Sequence, residues 1–241
     1  MLDQTAFLQR VKTALRQAGE AGFPRAGEGS IWTTPGGAGL SPDGAGEEPG
    51  EAERFLKEWE LVGGHGHRLG EGVAVGAKIA EIATSRGARS LIMWDRQRDS
   101  LLAAAYRELS AAGFEVKSVR GLDSAALRTL AAKADLGVVA AYRAIAATGT
   151  VVLVGAPGQA RAVGLLPPTL CVIVRRAVIR PTLRAVLLEI GGSHHGHELP
   201  QNLSLVTGPS KSADIGLELV TNVHGPGDVH ALVLDGGGTQ P

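Results

Sequence analysis

The alternation of apolar and amphipathic segments after residue 55 constrains the fold of this chain more than any other feature. Segments of strand length alternate with segments of helical periodicity, and several of the strand segments are apolar almost throughout. Strands have this character when helices cover both faces of a parallel sheet. The pattern therefore predicts an α/β fold with a mainly parallel sheet covered by helices on both faces. The predicted strands span residues 90–94, 114–119, 136–140, 150–155, 170–175, 203–207 and 229–235.

The predicted helices lie between these strands. Aromatic residues make up only 4% of the chain, so the core between helices and sheet must be built mainly from Ala, Val, Leu and Ile. The segment GEGVAVGAK has the spacing GxGxxxG, which differs from a dinucleotide fingerprint, and we interpret it as the start of a helix. The predicted helices span residues 55–62, 76–86, 98–112, 123–134 and 181–190.

The first 50 residues have a different character from the rest of the chain. Residues 3–18 place Leu8, Val11 and Leu15 on one helical face, whereas residues 19–50 are rich in Gly and Pro and lack periodicity. We therefore expect an N-terminal helix and a Gly/Pro-rich linker over residues 1–50, followed by an α/β domain over residues 51–241.

Charge and cysteine content argue against several classes of function. The 24 Lys and Arg residues balance the 24 Asp and Glu residues, which is not the basic surplus typical of nucleic-acid-binding proteins. We find neither a secretory signal nor a membrane span, and we expect a cytoplasmic protein. Cys171, the only cysteine, lies in the apolar segment LCVIV and is predicted to be a buried structural thiol. One thiolate cannot supply the four cysteine ligands of an iron–sulfur cluster, so we expect this chain to bind no cofactor of its own.

Histidines are concentrated in two segments, GHGH and SHHGHE. Both contain residue types that bind zinc, but neither shows the ordered ligand spacing of a zinc site. We interpret both as solvated polar loops and predict no metal site. The residues concerned are His65, His67, His194, His195, His197 and Glu198.

Three loops are expected at the carboxyl ends of strands, where open α/β sheets bind ligands. They are YRAIAATGT, GAPGQARAVGLLPPT and TGPSKSADIGLELVTNVHGP. The third is predicted to enter a short helix near Ser210 or Ser212, whose free N–H groups, together with Lys211, suit a carboxylate or phosphate. The alternative is that these serines only cap the helix and Lys211 is solvated. The candidate ligand-binding residues are Thr148, Thr150, Gln159, Arg161, Ser210, Lys211, Ser212, Asp214 and His224.

The chain resembles the LUD (lactate utilization domain) family over about residues 55–236. The resemblance is carried by TGTVVLVGAPGQAR, by LLPPTLCVIVR, and by TGPSKSADI with the NVHGP that follows it. It implies a fold similar to the ribose-phosphate isomerase, glucosamine-phosphate deaminase and CoA-transferase superfamily. It also implies a role in oxidation of L-lactate to pyruvate, with iron–sulfur and dehydrogenase-type subunits as partners.

One residue departs from the family pattern and leaves the catalytic residues unassigned. Members generally have a glutamate directly before TGT, where this chain has Ala147, which cannot act as a base, nucleophile or ligand. Three functions stay open: an accessory subunit of a lactate-oxidising system, a stand-alone enzyme or sensor for a sugar phosphate or acyl-CoA, and a structural adaptor.

Overall fold

The computed structural model describes residues 50–70, 73–193, 202–213, 219–221 and 225–235. All of them belong to the second of two units into which the chain divides, Glu47–Pro241. The predicted N-terminal helix, nearly all of the predicted linker, and the SHHGHE segment after Ser193 lie outside the described residues.

Helices and strands alternate along the described chain. In chain order, the elements are α1 (Glu51–Leu61), β1 (His65–Leu69), α2 (Val75–Ser85), β2 (Ser90–Met93), α3 (Ser100–Ala111), β3 (Glu115–Ser118), α4 (Ser124–Lys133), β4 (Leu136–Ala140), β5 (Arg143–Ile145), β6 (Thr150–Val154), β7 (Thr169–Arg175), β8 (Ile179–Arg180), α5 (Leu183–Ser193), β9 (Leu203–Val206), β10 (Lys211–Ala213), β11 (Leu219–Thr221) and β12 (Asp228–Leu234). Short 3₁₀ helices cover Arg96–Arg98, Ala146–Thr148, Arg161–Gly164 and Arg176–Val178.

The central sheet has six strands in the order β1-β12-β7-β4-β2-β3, and every neighbouring pair is parallel. The chain crosses from β2 to β3 in one direction and from β3 back to β4 in the other. Because such crossovers are right-handed, α3 and α4 lie on opposite faces of the sheet. Helix α2 packs against α3, where the Gly76 N–H donates to the Glu108 carboxylate at 2.7 Å. The predicted fold class, a mainly parallel sheet covered on both faces, is confirmed.

The core is built as the composition requires. Every residue of β4 and β7 is buried, and these two strands lie at the centre of the sheet. Phe55 and Trp59 of α1 are also fully buried. No helix within the described parts of the chain is both long and apolar enough to cross a membrane.

A second, four-stranded sheet has the order β8-β5-β6-β9. Strands β5 and β6 pair antiparallel, as do β6 and β9. The predicted strands at residues 150–155 and 203–207 therefore exist, but they belong to this smaller sheet and not to the parallel one.

Two local predictions are wrong. The GHGH segment is not a solvated loop, because its two histidines lie in β1, which pairs with β12. No helix begins near Ser210 or Ser212, because residues 211–213 form β10 and pair antiparallel with β11. The Ser210 N–H donates to the Pro226 carbonyl at 2.8 Å, so an extended partner takes the place of a helical turn. The interpretation of GEGVAVGAK as a helix start is confirmed, since α2 begins at Val75.

Candidate functional site

The order of the parallel strands changes direction between β2 and β4. In doubly wound sheets, ligands bind outside the carboxyl ends of the strands at this switch point. Here the loop after β6 crosses the carboxyl end of β2. The Asp95 N–H donates to the Gly158 carbonyl at 2.8 Å, and the Trp94 indole N–H donates to the Ala160 carbonyl at 2.9 Å. These two bonds hold the loop against the switch point.

A small pocket of about 20 Å³ lies beneath this loop. Trp94 and Leu153 form part of its apolar wall, and it is also lined by Ser204 of β9 and by Asn202, which directly precedes β9. This volume is enough for roughly one water molecule, so a larger ligand would bind at the mouth and insert only an apolar tip.

Two polar side chains line the pocket mouth, those of Gln159 and Arg161. Arg161 begins the 3₁₀ helix Arg161–Gly164 and is exposed. The Gln159 backbone N–H donates to the Ala156 carbonyl at 2.8 Å in a tight turn. Among the described residues, neither side chain has a hydrogen-bond or ion-pair partner. A planar guanidinium and an amide next to an apolar wall suit a small ligand with a carboxylate and a second polar group.

The hydroxyls of the TGT motif are paired with each other and with the next strand. The Oγ1 atoms of Thr148 and Thr150 are 2.7 Å apart, and Thr150 Oγ1 is 2.8 Å from Thr207 Oγ1. Thr150 is buried, whereas Thr148 is exposed. This chain of hydroxyls joins the start of β6 to the end of β9.

Gly149 of the same motif packs against the backbone of α1. Its φ is 55°, in the left-handed region that favours glycine. A Cβ atom on Gly149 would lie 2.2 Å from the Trp59 backbone nitrogen and 2.5 Å from the Glu58 carbonyl carbon. The TGT motif therefore has a packing role that is independent of any ligand.

Lys211 is also used within the fold. Its ammonium donates to the Val62 carbonyl at 2.7 Å, at the C-terminal end of α1. A cation is favourable there because the last carbonyls of a helix are unpaired and carry the negative end of the helix dipole. The backbone of Ser212 lies in β10, and Asp214 and His224 lie outside the described residues.

The predicted site residues thus form two groups. Thr148 and Thr150 lie near Thr207 and the third loop, at the start of β6, while Gln159 and Arg161 lie beyond its end. The antiparallel register, with Val154 opposite Leu203, keeps the two groups apart by the length of β6. Five residues of strand span about 16 Å. The structure does not bring the described members of the three loops to one mouth.

Ala147 lies in an apolar environment. It packs against a cluster of buried aliphatic side chains that includes Ile145 and Val186, and its N–H donates to the Pro181 carbonyl at 3.1 Å. The guanidinium of Arg143 in β5 donates to Glu189 of α5 at 2.7 Å. Burial would raise the pKa of Glu189, but hydrogen bonds from Arg143 and Arg180 outweigh it and lower the pKa overall. Glu189 is therefore an ionised partner of two arginines.

Cys171 is fully buried in β7, as predicted. Burial, followed by the charge of Asp228, raises the pKa of its thiol strongly. A buried thiol of this kind is inert as a nucleophile.

A cluster that the sequence analysis missed lies at the amino ends of β1 and β12, whereas the switch-point pocket lies at the carboxyl ends of the strands. It contains His65 and His67 of β1 with Asp228 and His230 of β12. Burial, then the charges of His230 and Lys78, lowers the pKa of His67 to about 4, so this ring is neutral near pH 7.

The sequence does contain a signal for this cluster. The spacings H-x-H at 65–67 and D-x-H at 228–230 put both members of each pair on one face of a strand. Because GHGH was interpreted as a loop, the H-x-H spacing at 65–67 was not recognised as a strand pattern.

The strand order defines a doubly wound α/β protein with a small pocket at the switch point between β2 and β4. The chain belongs to the LUD domain family, whose sequence profile matches residues 52–234. The predicted resemblance is confirmed.

Relatives and a solved structure agree with this assignment. The chain is 38% identical over 97 residues to lactate utilization protein C of Halalkalibacterium halodurans, which is 40% of this chain and 42% of that protein. It is 30% identical over 153 residues to lactate utilization protein C of Shouchella clausii, which is 62% of this chain and 64% of that protein. The alignment with the Halalkalibacterium halodurans protein thus spans less than half the length of that protein. A DUF162 family crystal structure from Deinococcus radiodurans has a TM-score of 0.56 and 19% identity, over 77% of this chain and 96% of that one, and supports the fold.

Proposed function

We propose that this chain acts in lactate utilization as an accessory, ligand-binding subunit whose ligand is a small carboxylate such as L-lactate or pyruvate. The observation that carries the proposal is the guanidinium of Arg161 at the switch-point pocket, which has no partner in the part of the chain that the structure describes, in a chain whose relatives are lactate utilization proteins. The partners in this proposal are iron–sulfur and dehydrogenase-type subunits.

The chemistry of the pocket mouth matches the groups of lactate. Arg161 offers a bidentate donor for the carboxylate, and Gln159 offers an amide for the hydroxyl or keto oxygen. The methyl group would contact the indole of Trp94, whose orientation is fixed by its bond to Ala160.

The need for partners follows from the redox chemistry. Oxidation of lactate requires an electron acceptor, and a chain with one cysteine cannot supply the four cysteine ligands of an iron–sulfur cluster. Since Cys171 is buried in the central sheet, it is also poorly placed to share a cluster with another subunit. Electrons would therefore pass to clusters on other chains.

The test combines genetics with co-purification. A deletion strain is complemented with the wild-type gene, with Arg161→Ala, or with Arg107→Ala, and grown on L-lactate as the carbon source. Arg107 is a matched control because it is an exposed arginine on α3, without a partner among the described residues. We expect wild type and Arg107→Ala to restore growth and to co-purify with iron–sulfur subunits, and Arg161→Ala to co-purify but grow poorly.

Three outcomes would contradict the proposal. They are normal growth of the deletion strain on lactate, no iron–sulfur partner in the purified material, and full rescue by Arg161→Ala. Thermal stabilisation of the purified chain by a sugar phosphate or a CoA ester, but not by lactate or pyruvate, would instead favour a stand-alone enzyme or sensor.

A further inference from the structure

Three potential metal ligands meet at the amino ends of β1 and β12. The side chains of His65, Asp228 and His230 offer one ligand atom each, and these atoms all lie within 4.8 Å of one another. His65 Nε2 is 3.2 Å from Asp228 Oδ1, and His230 Nε2 is 3.0 Å from Asp228 Oδ2. The cluster belongs to neither the switch-point pocket nor the TGT motif.

The sheet itself sets this arrangement. The parallel register pairs His65 with His230, so both rings lie on the same face and stack with their centroids 4.7 Å apart. Asp228 precedes His230 by two residues and therefore points to the same face. Ligands held on paired strands keep their positions better than ligands on loops.

We propose that His65, Asp228 and His230 form a binding site for a divalent transition-metal ion of the zinc type. Two imidazoles and a carboxylate are ligands that zinc accepts, and three protein ligands with one open position are typical of its catalytic sites. With metal–ligand bonds of about 2.0–2.1 Å, tetrahedral geometry separates neighbouring ligand atoms by about 3.3 Å. His65 Nε2 lies 3.2 Å from Oδ1 of Asp228 and His230 Nε2 lies 3.0 Å from Oδ2, so each imidazole is within about that distance of one carboxylate oxygen.

The surroundings leave an entry path to the cluster. Asp228 lines an open depression of about 500 Å³ at this edge of the sheet, together with Asp135 and Thr169. The His65 side chain is 51% exposed, whereas His230 is buried. An ion entering from the depression would meet Asp228 and His65 at the surface and His230 beneath them.

His67 is placed to orient the buried ligand. Its Nε2 atom is 3.0 Å from Nδ1 of His230. When a metal binds Nε2 of His230, the neutral ring carries its proton on Nδ1. That N–H then donates a hydrogen bond to Nε2 of His67. Metal-binding histidines commonly have such a partner on the second nitrogen.

Arg86 competes with the metal for Asp228. Its guanidinium donates to both carboxylate oxygens, at 2.7 and 3.2 Å. The Arg86 side chain is 43% exposed at the end of α2, and ion pairs at such positions contribute little to stability. The guanidinium can therefore move into solvent when an ion binds. This competition gives the proposal its most distinctive consequence, since removal of Arg86 should strengthen metal binding.

The test is a titration of the purified full chain, without a histidine tag and after chelator treatment, with zinc chloride. Calorimetry gives the affinity and stoichiometry, and visible absorption of the cobalt(II) form reports the ligand geometry. We expect one ion per chain. His65→Ala and Asp228→Asn should each weaken binding by about tenfold or more, because each removes a ligand. Arg86→Gln should tighten binding severalfold.

A control removes the other histidine-rich segment. The variant His194→Ala/His195→Ala/His197→Ala should bind zinc as the wild type does. His65 is exposed, so its replacement is a fair test even if variants at buried His230 fail to fold. The proposal is overturned if the chain binds no zinc, if His65→Ala and Asp228→Asn bind as tightly as wild type, or if only the triple variant loses binding. Weaker binding by Arg86→Gln would also contradict it.

Discussion

Replacement of Gly149 by alanine tests whether the TGT motif is held by packing against α1. The substitution has two costs. At φ 55° and ψ 46°, a residue with a Cβ is strained by about 1–2 kcal/mol. The new Cβ would also lie 2.2 Å from the Trp59 backbone nitrogen, so α1 or the motif must shift, which adds about 1–3 kcal/mol as in other overpacked cores. We expect the free energy of unfolding to fall by about 2–5 kcal/mol.

Gly87→Ala is the matched control. Gly87 follows α2 with φ 66°, and a Cβ there would have no atom within 4 Å, so only the backbone strain is introduced. Urea unfolding followed by circular dichroism at constant m-value measures both variants. The difference between them isolates the contact with α1. If Gly149→Ala costs no more than Gly87→Ala, the packing explanation is wrong.

Three further predictions concern single side chains. Arg175 and Asp99 form a bidentate ion pair in which the two side chains are only 8% and 10% exposed. Arg175→Met leaves the Asp99 carboxylate buried without this partner and should lower the free energy of unfolding in urea by about 3–5 kcal/mol, whereas a loss below about 1 kcal/mol would refute this. Lys211→Met removes the bond to Val62 and should cost about 0.3–1 kcal/mol in the same assay while lactate affinity stays unchanged; a tenfold loss of affinity would restore Lys211 as a ligand-binding residue. Cys171 should resist a thiol reagent in the native protein and react after unfolding, and rapid native labelling would contradict its burial.

The strands that the sequence predicts well are those of the parallel core. The segment 136–140 coincides with β4, because a strand buried on both faces is apolar at every position. Strand β1 was missed because it lies at the sheet edge and its sequence, HGHRL, is mostly polar. The two-residue and three-residue strands β8 and β10 have no pattern of their own, since their extended conformation depends on a partner strand.

The prediction that the three loops form one site depended on the direction of the strands that precede them. Loops that follow parallel strands leave at one edge of a sheet, and all three loops were interpreted as following such strands. The loop after β6 does contact the residues that follow β2, but β6 itself belongs to the smaller sheet. Strands β6 and β9 are antiparallel, so the loop after β9 leaves at the opposite end from the loop after β6. Sequence periodicity identifies a strand but carries no information about its direction relative to its neighbour. The separation of Lys211 from Arg161 could not be derived without the second sheet.

The cluster of His65, Asp228 and His230 could not be predicted from the sequence either, because its members are far apart along the chain. Each half has strand spacing in the sequence, but 163 residues separate His67 from His230. Only the pairing of the first and last strands of the central sheet brings them together.

The most direct test of the account is calorimetric titration of L-lactate into wild type, Arg161→Ala and Arg107→Ala. If Arg161 holds the carboxylate at the switch-point pocket, its replacement should weaken binding by about tenfold or more, equivalent to about 1.4 kcal/mol. Arg107→Ala should bind as wild type does, and all three proteins should melt at the same temperature. Equal lactate affinity in all three proteins, or no detectable binding of lactate or pyruvate by the wild type, would contradict the account.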